Sequence, residues 1–129
     1  MVIPNINDKQ LDISNVFLNL DICHSLSHTL HRKKNILQAV SLSNNGLNET
    51  MSDLLLEGLH NQESIRVIQW KNNTITDKIA SFIERRPPNN LLVLRINKCK
   101  ISARTVELLL ENIEYSQINR LALVEANLN

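Results

Sequence analysis

The sequence predicts an α/β repeat array in which short parallel strands alternate with helices. Three observations carry that expectation. The spacing L-x-x-L-x-L-x-x-N-x-L recurs four times: through Leu37, Val40, Leu42, Asn45 and Leu47, then Ile65, Ile68, Trp70, Asn73 and Ile75. It returns through Leu91, Leu94, Ile96, Cys99 and Ile101, and finally Ile118, Leu121, Leu123, Ala126 and Leu128, with starts 28, 26 and 27 residues apart, so each unit buries its apolar edge against its neighbours. Eighteen positions after the first three starts stand Leu55, Ile83 and Leu109, preceded by Leu54, Phe82 and Leu108, which gives each helix one apolar stripe facing the strands. Directly after each template come Asn48, Thr76, Ser102 and Asn129, all residue types whose side-chain oxygen caps a helix by accepting from an unpaired backbone N–H.

Taken in chain order, Met1 to about Asp12 reads as an irregular cap or loose arm, and the N-terminal segment as a whole spans residues 1–14. Val16, Leu18 and Leu20 alternate with Asn15, Phe17 and Asn19, so a strand is expected from about residue 15. Its inner slots are filled either by Val16 and Leu18 or by Leu18 and Leu20; the second, favoured register puts Cys23 in the turn. Leu26 and Leu30 then supply a short helical stripe. The later units start near residues 37, 65, 91 and 118. In each, the alternating L-x-L makes a strand with the named residues inward and the intervening ones outward. The ninth position turns the chain, where an Asn amide can bond backbone groups that the bend leaves unpaired. Arg85, Arg86, Pro87 and Pro88 should stop the third helix, since proline neither donates nor lets its predecessor stay helical. The last unit is incomplete. Its strand, Leu121 to Val124, is expected to present an open edge that a longer chain or self-association would cover.

This pattern resembles the leucine-rich repeat family, and the unit length is similar to its ribonuclease-inhibitor-like class. The resemblance covers Leu37 to Asn129 plus a degenerate first unit. It implies a short horseshoe solenoid, with a parallel sheet on the concave face and helices on the convex face, and a ladder of Asn or Cys residues at the turns. Asn45, Asn73 and Cys99 conform; Ala126 departs. It also implies recognition of another protein, sometimes an enzyme that is inhibited or a GTPase that is regulated.

Composition fits one small domain. The chain has 129 residues, 43% of them apolar, and two glycines with three prolines leave no flexible linker. No apolar run approaches the roughly 18 residues of a membrane helix. The start MVIPNINDKQLD lacks a basic region followed by an apolar stretch, which disfavours a cleaved signal. Cys23 and Cys99 fall three strand steps apart, about 14 Å, beyond the roughly 7 Å limit for a disulfide, so free thiols in a reducing cytosol are expected. The triplets Asn48-Glu49-Thr50 and Asn72-Asn73-Thr74 are incidental there. Abundant asparagine and eukaryote-like repeats resemble secreted effectors of intracellular pathogens such as Legionella, which implies delivery into a host cell.

Enzyme-like groupings have plainer explanations. His24, His28 and His31 share an arc near Cys23, but that arc lies opposite Leu26 and Leu30 and reads as a solvated face rather than a metal site. The run His31-Arg32-Lys33-Lys34 complements a helix dipole. A net charge of +1 and 3% aromatic residues argue against nucleic acid. No catalytic grouping, phosphate loop, cofactor motif or membrane segment is visible, so the chain reads as non-enzymatic and without cofactors. Trp70 takes an inward strand slot and reads as core. Phe17 points outward in either register, as a ligand anchor or as a residue covered by the N-terminal arm.

Function is therefore sought in the outward strand positions, expected at Ala39, Ser41, Ser43 and Asn44; Val67, Gln69, Lys71 and Asn72; Val93, Arg95, Asn97 and Lys98; and Arg120, Ala122, Val124 and Glu125. Four cations against one anion, Glu125, charge this face +3, which favours an acidic protein partner. The candidate partner-binding residues are Phe17, Ser41, Gln69, Lys71, Arg95, Asn97, Lys98 and Arg120. The alternative is a structural or self-associating element, or the repeat portion of a longer scaffold or GTPase-regulator-like protein.

Overall fold

The computed structural model describes residues 6–7, 9–33, 37–60, 62–84, 91–113, 120–124 and 127–128. It is α/β. Five parallel strands, β2 (Gln10–Ser14), β3 (Ala39–Ser43), β4 (Val67–Lys71), β5 (Val93–Asn97) and β7 (Arg120–Val124), form one sheet in sequence order. The two-residue β1 (Ile6–Asn7) joins it antiparallel to β2, and β6 (Lys100–Ile101) pairs with β8 (Asn127–Leu128). The helices are α1 (Leu20–Arg32), α2 (Glu49–Leu59), α3 (Lys78–Glu84) and α4 (Ala103–Ile113), and each packs against the next.

The strand register is the physical core of the fold. Leu11, Val40, Ile68, Leu94 and Leu121 stand side by side across the sheet, and so do Ile13, Leu42, Trp70, Ile96 and Leu123. From Leu11 to Ile96 these positions are essentially fully buried, in one apolar cluster with Leu26, Leu55, Ile83 and Leu109 of the helices. Period-two alternation therefore puts one face of the sheet under the helices. Leu121 and Leu123 on β7, whose sole partner among the described residues is β5, are only partly covered.

The expected first strand is misplaced. It is Gln10–Ser14, residues 16–19 belong to a loop, and Leu20 opens α1. Residues 10–12 thus belong to the sheet rather than to a loose arm, and neither register considered for Val16, Leu18 and Leu20 occurs. Of those three only Leu18 is buried; Val16 and Leu20 are 44% and 45% exposed. Cys23 is buried within α1 instead of turning the chain. The reason is tertiary: β3 offers its edge to Leu11 and Ile13, and that pairing outweighs a local alternation with no partner strand.

The turns after the strands follow one plan. Asn15, Asn44, Asn72 and Lys98, each directly after its strand, all have φ between 50° and 60°, and Asn tolerates this left-handed region better than most residues. Asn44, Asn72 and Lys98 are therefore turn residues, not the outward strand positions expected. The Asn amides form an outer ladder: Asn44 Nδ2 donates to Asn15 Oδ1 at 2.7 Å, and Asn72 Nδ2 to Asn44 Oδ1. The next residue forms the inner ladder. Asn45 Nδ2 donates to the Val16 carbonyl at 2.8 Å; Asn73 Oδ1 accepts from Asn45 N and Leu47 N at 3.1 and 3.2 Å; Cys99 Sγ donates to the Trp70 carbonyl at 3.2 Å.

Caps then start the helices. Asn19 Oδ1 accepts from Ile22 N, Asn48 Oδ1 from Met51 N, Thr76 Oγ1 from Lys78 N and Ser102 Oγ from Thr105 N. Buried Gln62 closes the first crossover, accepting from Leu37 N and donating to the Leu30 carbonyl at the end of α1. The expected helix stop at Arg85 to Pro88, together with Lys34, Ile118, Ala126 and Asn129, lies outside the described residues.

The α1–α2 contact depends on Gly58. A Cβ there would stand 2.6 Å from Ser27 Cα and 2.8 Å from its carbonyl oxygen, so backbone would have to move. Gly58→Ala is expected to lose about 1–3 kcal/mol through overpacking, more than the roughly 1 kcal/mol that alanine gains as a helix former. A urea midpoint unchanged or raised in this variant would show that α1 yields freely.

Candidate functional site

The sheet face away from the helices carries three in-register rows. One is Gln10, Ala39, Val67, Val93 and Arg120; the middle one is Asp12, Ser41, Gln69, Arg95 and Ala122; the third is Ser14, Ser43, Lys71, Asn97 and Val124. Most of their described side chains are exposed or half-exposed, which leaves this face open to solvent.

Six of the eight sequence-nominated residues meet on this face. Ser41, Gln69 and Arg95 are consecutive in the middle row, Lys71 and Asn97 are neighbours in the third, and Arg120 begins β7. Lys98 stands just past β5 in the left-handed turn, exposed at the rim. Phe17 does not join them. It lies in the loop between β2 and α1, 83% exposed, with its ring over Gly46, where an added Cβ would come within 2.6 Å of Phe17 Cδ1.

Sequence reasoning missed Gln10, Asp12 and Ser14, which enter the face because β2 lies earlier than expected. The available signal was an offset of 29 residues that relates Leu11 to Val40, Asn15 to Asn44, Asn19 to Asn48 and Leu26 to Leu55. Asp12 places an anion at one side of the face, while Lys71, Arg95, Lys98 and Arg120 gather towards the other. Glu125 lies outside the described residues. Among the described residues the ion pairs are elsewhere, Lys78 to Glu57 at 3.7 Å and Arg104 to Asp77 at 3.4 Å; Lys71, Arg95 and Arg120 pair with no described carboxylate.

Other chemistry-bearing side chains have structural tasks. Asp53 accepts from Thr76 Oγ1 and Asp77 from Thr105 Oγ1, so each carboxylate is tied to the N-terminus of the following helix. Cys23 and Cys99 are free and buried; burial pushes the Cys23 thiol up to about 11 and raises that of Cys99. His24, His28 and His31 are exposed while Cys23 faces the core, so the four do not converge, and the described residues hold no group of three or more His, Cys, Asp or Glu able to bind a metal. Trp70 is fully buried, as its inward slot requires, with Nε1 unpaired; Asn97 Oδ1 on the open face also lacks a partner. No helix among the described residues is long and apolar enough to cross a membrane. Neither a protein-family model nor a curated protein matches the sequence.

Proposed function

We propose that this chain is a leucine-rich-repeat solenoid that acts without catalysis, binding an acidic protein surface through the open, concave face of its sheet. The observation that carries this reading is the group of Lys71, Arg95 and Arg120, cations that pair with no described carboxylate, set among small and neutral side chains on one continuous face. The repeating strand, left-handed turn, capped helix and back-bonding amide support the solenoid part of the reading. A preorganised sheet presents such a surface at little ordering cost, and its local charge speeds the encounter with an oppositely charged partner.

The double variant Lys71→Glu/Arg95→Glu tests this. It should lose the partners that the parent protein captures from cytosol, identified by mass spectrometry, while its thermal unfolding changes little, because both side chains are half-exposed on the surface, where substitutions usually cost roughly 0.5 kcal/mol or less. Retained partners would put the binding surface elsewhere.

A further inference from the structure

Lys71, Arg95 and Arg120, which pair with no described carboxylate, are not scattered. Gln69 is in register with Arg95, and Val93 with Arg120, so passing from Lys71 to Arg95 to Arg120 moves one strand over and two residues back at each step. A strand separation of about 4.8 Å and a two-residue rise of about 6.6 Å make each step about 8 Å and the whole line about 16 Å. On the register of the strands the three positions fall on one diagonal. It is flanked by neutral side chains, Gln69 and Val93 on one side, Asn97 and Ala122 on the other.

We infer that this diagonal takes an acidic polypeptide segment in extended conformation, with carboxylates at alternate residues facing Lys71, Arg95 and Arg120. The inference rests on the open-face reading above and names its occupant. An extended chain spaces alternate side chains about 6.6–6.8 Å apart and points them all to one side. On a concave face the cation tips stand closer together than their roots, which brings about 8 Å towards that repeat. A helix fits less well. Carboxylates at i, i+4 and i+8 span about 12 Å and turn about 40° at each step, so the third leaves the surface. Asp12, in the same row as Arg95 but on β2, repels such a segment from the other half of the face and confines it to β4, β5 and β7. Single-stranded nucleic acid would also bring a line of anions, but it binds on aromatic platforms, and the described residues put none on this face: Trp70 is turned into the core and Phe17 sits in a loop.

The test is fluorescence anisotropy on the full chain with three labelled probes: a peptide alternating Glu and Ser, a peptide of the same composition with its Glu residues in one block, and an oligothymidylate. The alternating peptide should bind best and weaken as salt rises. Arg95→Glu should weaken it roughly tenfold or more, equivalent to about 1.4 kcal/mol. Arg32→Glu, the same charge change at the exposed end of α1, should leave it unchanged. Equal binding of the two peptides would overturn the extended, alternating arrangement, and tighter binding of the oligothymidylate would make the occupant a nucleic acid. If no acidic probe binds but Lys71→Glu/Arg95→Glu still abolishes capture of a cellular protein, the acidic-segment inference fails and the open-face reading survives. If capture also persists in that variant, both fail.

Discussion

Trp70→Ala is expected to move the urea midpoint of the chain sharply downward. Trp70 is the largest fully buried side chain, set between Leu42 and Ile96 on the flanking strands. Truncating a buried Trp costs about 3–5 kcal/mol through lost transfer energy and the cavity left behind, against a total stability of about 5–15 kcal/mol for proteins of this kind. The same site makes a sharper prediction through its unpaired Nε1. Because a buried donor without a partner already costs about 1–3 kcal/mol, Trp70→Phe removes that penalty along with part of the ring, and it should lose no more than about 2 kcal/mol. Circular dichroism in urea reads both variants, since the only tryptophan is gone. A Trp70→Ala midpoint near that of the parent would contradict the buried position.

The second large effect is expected at buried Asn73, where lost hydrogen bonds rather than lost apolar contacts dominate. Its Oδ1 satisfies the backbone N–H groups of Asn45 and Leu47, and its Nδ2 donates to the Lys71 carbonyl at 3.0 Å. Asn73→Ala strands two buried donors at once, at about 1–3 kcal/mol each, for a loss of roughly 2–6 kcal/mol. Hydrogen exchange distinguishes this cause from general loosening: amides of Asn45 and Leu47 should exchange much faster than those of Ile96, while the strand amides keep their order of protection. A loss under about 0.5 kcal/mol would mean that water or a shifted backbone replaces the amide.

What could be read from the residues divides along physical lines. Inward slots such as Val40, Leu42, Ile68, Leu94 and Ile96 repeat the same burial problem in every unit, so their spacing is visible in the chain. Capping by Asn48 and Ser102 is local, and it was legible for that reason. The first strand was not. Gln10–Ser14 has only two apolar residues, and its identity comes from pairing with β3, whereas Val16, Leu18 and Leu20 imitate a strand without a partner. The positive φ at Asn44, Asn72 and Lys98 was hidden as well, because Lys98 breaks the Asn column that would have announced it. Gln62 holds the end of α1 to Leu37, just before β3, through bonds to residues far along the chain, and nothing nearby marks it. For the candidate site, period two assigned Lys71, Arg95 and Arg120 to one face, but their alignment into a diagonal required the register between strands, which no single strand contains.

The inner ladder also has a direction. Asn45 reaches back to Val16, Asn73 to Asn45 and Leu47, and Cys99 to Trp70, so each turn is completed by the unit that follows it. On the ribosome this sets an order of events. Asn45 and Leu47 leave the exit tunnel with their N–H groups unpaired, and Asn73 emerges 28 residues after Asn45, a delay of a few seconds at about 5–20 residues per second. Until Asn73 emerges, the turn at Asn45 and Leu47 stays unfinished, together with the strand edge and apolar face that the following unit covers.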